Sequence, residues 1–198
     1  RIKILDANIT AIDLSKRSLA YATSMCEKYQ VSDIIFRHCD LLDCKYLEKK
    51  FSLIECVGVL HHMREPEKGF KALVKELMPG GLMRIGLYSK IARTAVAAFR
   101  KNVEESYHTL NEVDFRDIRS QVKDNRYPEI NEITGWGDFY TASSFRDLAL
   151  HEQEHQFLLP EINSLLLKYD MKFLGFHSRS LRSAFIKQFG STVDISDL

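Results

Sequence analysis

The sequence predicts an α/β protein: a doubly wound, mostly parallel β-sheet with a helical insertion or cap after the fifth strand. Three observations carry this. Apolar runs of strand length alternate with segments of helical periodicity, which is the pattern of a parallel sheet covered on both faces. Phe51-Ser-Leu-Ile-Glu-Cys-Val-Gly-Val-Leu-His-His62 reads as a buried strand running into a polar tip. At helix length from it lies Leu77-Met-Pro-Gly-Gly-Leu-Met-Arg-Ile-Gly-Leu-Tyr88, a turn and a second buried strand, so the two stretches close one βαβ unit.

The elements follow in order. Arg1 to Asp6 alternates as a strand, and Asn8 to Asp13 reads as another. Ser15 is a helix N-cap, and Leu19, Ala22, Cys26 and Tyr29 recur behind it at helical spacing. Ser32 to His38 is a third strand, ending at Asp40, and Phe51 to Val59 a fourth. Pro66 fits the first turn of a helix with the apolar face Phe70, Leu73, Val74 and Leu77. Gly80 and Gly81 are expected to end it, and Leu82 to Tyr88 is the fifth strand. Helices are then predicted over Ile91–Val103, Val113–Val122, Ser144–Phe157, from Pro160 through Leu166, and over Leu181–Phe189, with a late strand at Met171–Phe176. The expected organisation is a core over residues 1–90, a helical insertion over 91–158 that shapes a substrate pocket, and a C-terminal completion over 159–198.

Composition narrows the function classes. Lysine and arginine (28) nearly balance aspartate and glutamate (27), a formal net charge of +1 without an electrostatic nucleic-acid footprint. Cys26, Cys39, Cys44 and Cys56 have no CxxC spacing and read as reduced thiols in a cytoplasmic protein. No apolar run approaches membrane-span length and no signal-peptide pattern is present.

In an open α/β sheet, ligands bind beyond the carboxyl ends of the strands. Asp13 ends its strand, where a carboxylate can accept from both hydroxyls of a ribose; that role alone does not separate S-adenosylmethionine from NAD, and a helix-start aspartate is the plainer alternative. His61 and His62 end the fourth strand, where a near-neutral imidazole can take a proton from an acceptor hydroxyl or amine, or simply pack or cap. Tyr88 and Arg93 face the same region, and Tyr140, beside Trp136 and Phe139, is a candidate to close over it. His151-Glu-Gln-Glu-His155 formally matches the zinc pattern H-E-x-x-H. Pro160 cuts that helix short and no third ligand stands out, so no metal is expected there and a cap is preferred.

The wording "GVLHH … L-x-PGG", with "AIDLS" and "HCDLLD" before it, resembles the class I S-adenosylmethionine-dependent methyltransferases, with their Rossmann-like fold. The segment "HEQEHQFLLPEI" resembles a bacterial methyltransferase-like group, some members fused to tetratricopeptide repeats. The resemblance implies methyl transfer from S-adenosylmethionine, leaving S-adenosylhomocysteine, to an acceptor that the sequence does not identify. It implies that Asp6 ends the first strand and that Asp13 and Leu14 lie at the cofactor ribose. It implies further that Asp40 and the backbone of Leu41 meet the adenine, and that Cys56, Val57 and Gly58 line the methionine end. It leaves open a catalytic part for His61, His62 and Tyr88. A fused or partner repeat domain belongs to the same expectation.

One departure stands out. Neighbouring parallel strands need a crossover of about a dozen residues, yet Asp6 and Asn8 nearly abut. In the family a glycine-rich loop and a helix lie there. The preferred explanation is a disordered loop missing from the sequence, ahead of a truncated chain or one long degenerate strand; it predicts a break between Asp6 and Asn8. The alternatives from other classes are a catalytically silent methyltransferase fold used as a binding or regulatory module, and an NAD-dependent oxidoreductase, which lacks a dehydrogenase-type catalytic set here. A zinc hydrolase on His151, Glu152 and His155 is the most distant.

Overall fold

The computed structural model describes residues 7–106, 112–151 and 153–190. The expected strand Arg1–Asp6, the residue Asp6 and the expected break beside it lie outside the described residues. The described chain groups into two units, one holding the chain up to Leu60 with Glu65–Ile85, the other His61–Arg64 with Gly86 onward.

The first unit consists of two βαβ crossovers. Strand β1 (Ile9–Asp13) leads into helix α1 (Lys16–Lys28) and returns as β2 (Ile34–His38), pairing in parallel with Ile9 opposite Ile34 and Asp13 opposite His38. Ser15 caps α1 as expected, its Oγ accepting from the Ser18 amide at 3.1 Å. A 3-10 helix over Leu41–Leu47 follows. Strand β3 (Phe51–Cys56), helix α2 (Pro66–Glu76) and strand β4 (Leu77–Ile85) form the second parallel crossover. Pro66 stands in the first turn of α2, where its missing N–H costs no intrahelical bond. Phe70 and Leu73 are buried on its inner face, and Cys44 and Cys56 are buried in the same unit.

The fourth and fifth expected strands differ at their ends. Helix α2 stops at Glu76 and Leu77 is already extended, ahead of Gly80 and Gly81. Pro79 disfavours helix at the residue before it. The β3–β4 register jumps from Phe51–Leu77 to Leu53–Leu82, so Met78-Pro79-Gly80-Gly81 forms a bulge at the start of the strand. Strand β3 ends at Cys56 rather than Val59, because Gly58 takes φ +77°. Tyr88 is not the end of β4: it opens the two-residue strand β5 (Tyr88–Ser89).

The second unit returns β5 through helices to β6 (Gln156–Phe157), again in parallel. Between them lie α3 (Thr94–Ser106), α4 (Glu112–Lys123), a 3-10 helix over Pro128–Gly135 and α5 (Ala142–Leu150). Phe99, Ile118, Ile130, Ile133 and Phe145 close its core with at most 1% exposure. Helix α6 (Leu159–Lys168) begins one residue before the expected proline, which stands in its first turn, and α7 (Arg179–Phe189) is the last described helix.

Two expectations fail here. Helix α5 ends at Leu150 instead of running to Phe157, and the late strand is Gln156–Phe157, while Met171–Phe176 carries no regular structure. The cause is non-local. The His155 amide donates to the His61 carbonyl at 2.7 Å, and the Gln153 carbonyl is held by the His62 ring at 2.9 Å. These bonds draw residues 153–157 out as an extended strap.

Candidate functional site

In the first unit the described cofactor candidates lie at or just beyond strand ends, Asp13 and Asp40 on the β1–β2 pair and Cys56 to Gly58 on the β3–β4 pair. Because β1 and β2 are parallel and in register, Asp13 and Asp40 lie at the same edge. Asp13 Oδ1 accepts from the Ser15 amide at 2.7 Å and Asp40 Oδ1 from the Leu42 amide at 2.8 Å. Each carboxylate is thus oriented by backbone while keeping acceptor capacity. His38 pins the turn, its Nε2 lying 3.0 Å from the Leu14 carbonyl, and the Cys39 amide donates to the Asp13 carbonyl at 3.2 Å. The Leu14 side chain beside them is 64% exposed; Leu41 is half-buried at the start of the 3-10 helix. At the end of β3, Cys56 is buried and Val57 is 52% exposed. Burial pushes the Cys56 thiol up to about 11, so it is a neutral packing group. No atom lies within 4 Å of where a Gly58 side chain would begin.

In the second unit the structure brings His61, His62 and Tyr88 together. His61 stacks on Tyr88 with ring centroids 3.9 Å apart, and the two histidine rings meet edge-on at 4.3 Å. The His61 ring is buried at 2% exposure. Its Nδ1 lies 3.3 Å from the Gly86 carbonyl, a contact that requires the proton on Nδ1 and leaves Nε2 as an acceptor. His61 Nε2 and His62 Nε2 are buried with no hydrogen-bond partner. Burial, aided by the neighbouring His62, lowers the His61 pKa, so the ring is held neutral. Burial raises the Tyr88 pKa, which keeps a phenol there.

Behind this cluster is a buried ion network that the sequence does not reveal. Glu154, its side chain 1% exposed, accepts from Arg93 Nη2 at 2.5 Å and from Arg100 Nη2 at 2.8 Å. Arg93 also donates to the Leu148 carbonyl and Arg100 to the Ala149 carbonyl. Burial pushes the Glu154 carboxyl up, but hydrogen bonds from Arg93 and Gln156 and the charges of both arginines outweigh it and hold its pKa low. The guanidinium of Arg93 sits 4.2 Å from the Tyr88 ring centroid, a cation–π contact. Arg93 is therefore a support for Tyr88. Tyr140 is 69% exposed with its hydroxyl bound to the Thr134 carbonyl, and Phe139 turns into the core.

The H-E-x-x-H pattern does not form a helical metal pair: His151 is the C-cap of α5, and His155 lies in the extended strap. Glu152 lies outside the described residues. His151 instead stacks on His62, with centroids 3.8 Å apart.

Comparison with known proteins relates most of the first unit to a methyltransferase domain. Residues 2–81 match the family model described as a methyltransferase domain. An uncharacterized protein of Synechococcus is 32% identical over 185 residues, covering 87% of this chain and 43% of that protein. Phosphoethanolamine N-methyltransferase 2 of Caenorhabditis elegans is 26% identical over 133 residues, covering 62% of this chain and 30% of that enzyme. PKMT2 from Rickettsia typhi superposes with a TM-score of 0.65 at 16% identity, over 94% of this chain and 39% of that one. Its structure in complex with AdoHcy gives a TM-score of 0.62 at 16% identity, over 94% and 40%. The chain thus spans less than half the length of each of these relatives. Residues 2–81 are thus similar to a methyltransferase domain, and the chain shares the Rossmann-like α/β fold of these solved structures.

Proposed function

We propose that this chain is an S-adenosylmethionine-dependent methyltransferase that leaves S-adenosylhomocysteine, with a small molecule or a protein as acceptor. The observation that carries the reading is the pair Asp13 and Asp40 at one edge of two parallel strands. When bound, S-adenosylmethionine supplies an electrophilic methyl group on a sulfonium. The residues fit that ligand. Asp13 offers a carboxylate to the ribose diol, and Asp40 accepts from the adenine amine beside the Leu41 amide. The exposed Leu14 side chain supplies apolar surface. Gly58, with open space at its Cα, lets backbone approach the amino-acid end, flanked by Val57 and Cys56.

His61 is the preferred proton acceptor: neutral, oriented by the Gly86 carbonyl and with an uncommitted Nε2. His62 and Tyr88 hold it in position through ring contacts. Methyl transfer from a sulfonium depends on alignment and desolvation, so a base is needed only for an acceptor that arrives protonated. Residues 91–158 supply Asp147, His151 and Glu154 around these rings, as an insertion shaping an acceptor site does. The AdoHcy held by the Rickettsia protein supports the cofactor class. The four free thiols suit a cytoplasmic setting, and among the described residues no helix is long and apolar enough to cross a membrane.

Asp13→Ala tests the site. It should weaken S-adenosylhomocysteine binding by roughly 10- to 100-fold, the order expected when about 1.4–2.8 kcal/mol of charge-assisted hydrogen bonding is lost, with the circular dichroism spectrum unchanged. An unaltered Kd would remove Asp13 from the site.

A further inference from the structure

We infer that His62, Asp147 and His151 form a binding site for a first-row divalent transition ion such as zinc. One ligand atom from each lies within 4.8 Å of the others. His62 Nε2 and His151 Nε2 stand 4.0 Å and 3.9 Å from Asp147 Oδ1. Two imidazoles and one carboxylate are the donor set that such ions take while leaving positions open for water or substrate.

Three features set this trio apart from a chance surface cluster. First, His62 is already arranged as a ligand. Its Nδ1–H is spent on the Gln153 carbonyl at 2.9 Å, which fixes the tautomer and presents the Nε2 lone pair. Second, that Nε2 is buried and has no hydrogen-bond partner; a bound ion would supply one. Third, the donors come from fixed elements. Asp147 and His151 are one helical turn apart at the end of α5, and the His151 ring stacks on His62. A cleft of about 290 Å³ opens beside them, lined by Ser143, Arg146, Asp147 and His151. It gives an ion a way in and leaves its open positions facing solvent.

Binding asks for two adjustments. Ligands around tetrahedral zinc, at bond lengths of about 2.0–2.1 Å, stand roughly 3.3 Å apart, so the three side chains must draw together. His151 Nδ1 now accepts from the Gln153 amide at 3.2 Å. Coordination through Nε2 moves the ring proton to Nδ1 and gives up that bond, with no net proton released. Arg146 lines the same cleft, and its guanidinium lies over the Phe115 ring at 5.1 Å from the centroid. Its charge opposes a bare cation and favours one that carries an anionic fourth ligand.

The experiment is calorimetric titration of the purified chain with zinc chloride, repeated with Asp147→Asn and His151→Gln. Both positions are partly or largely exposed, so neither change should disturb the fold, which circular dichroism would check. The site predicts saturable binding of one zinc per chain, weakened by roughly 10-fold or more in each variant. Cobalt should bind without the thiolate charge-transfer absorption that capture by Cys26, Cys39, Cys44 or Cys56 would produce. No saturable binding, unchanged binding in both variants, or a cobalt–thiolate band would each overturn the proposal. The readout is independent of methyl transfer, so failure here leaves the cofactor reading untouched, and the converse holds.

Discussion

His61 occupies an environment that selects one protonation state. Burial lowers its pKa below the ordinary 6.5, so in acid the unfolded chain takes up a proton that the folded chain refuses. Stability should therefore fall as pH drops below about 6.5, with a slope of at most about 1.4 kcal/mol per pH unit from this one group. Glu154 adds a second loss at lower pH: its carboxyl, held below the ordinary 4.5 by the two arginines, stabilises the fold above that value and ceases to as pH falls through the folded pKa. Urea denaturation between pH 8 and 5 measures the first effect. His61→Asn should be less stable throughout yet show a flatter dependence in this window; an equally steep curve would mean that other groups carry it. The sequence marks His61 and His62 through their place at a strand end. It gives no sign of the ion pairs of Glu154, whose arginine partners lie 61 and 54 residues away, or of the approach of Asp147 to His62, 85 residues away.

Local signals locate the elements that local chemistry governs. The Ser15 cap and Pro66 at the start of α2 act within one turn, and both helices begin where those residues place them. The strap 153–157 is illegible in the sequence because no proline or glycine interrupts a helical reading before Pro160, while its actual partners, the His61 carbonyl and the His62 ring, are about ninety residues upstream. Strands β5 and β6, at two residues each, are too short to show alternation. The Pro-Gly-Gly segment misleads for a related reason: glycine marks a turn, but only the β3 register shows that this turn is a bulge inside the ladder. A side chain at Gly81 would meet the Met78 carbonyl oxygen and Leu77 Cδ1, each at 2.9 Å. Gly81→Ala should cost about 1–3 kcal/mol, the usual range for overpacking against backbone, measurable as a lower denaturation midpoint. No loss would show that the bulge can open without strain.

At the scale of the whole molecule, the segment similar to a methyltransferase domain ends at residue 81 and includes the strand ends that carry Asp13, Asp40 and Gly58. The helical segment beyond contributes the histidine contacts and the buried ion network. In the proposed reading the sheet edge binds what is common to a family and the added segment what is particular. The second part is unreadable in the sequence because neither periodicity nor spacing encodes which acceptor a cleft receives. The central claim concerns the first part, and calorimetric titration with S-adenosylhomocysteine tests it most directly. The account predicts saturable one-to-one binding near micromolar affinity, about −8 kcal/mol. A chain that is folded by circular dichroism and gives no binding heat, with no protection in thermal denaturation by the same ligand, would contradict it.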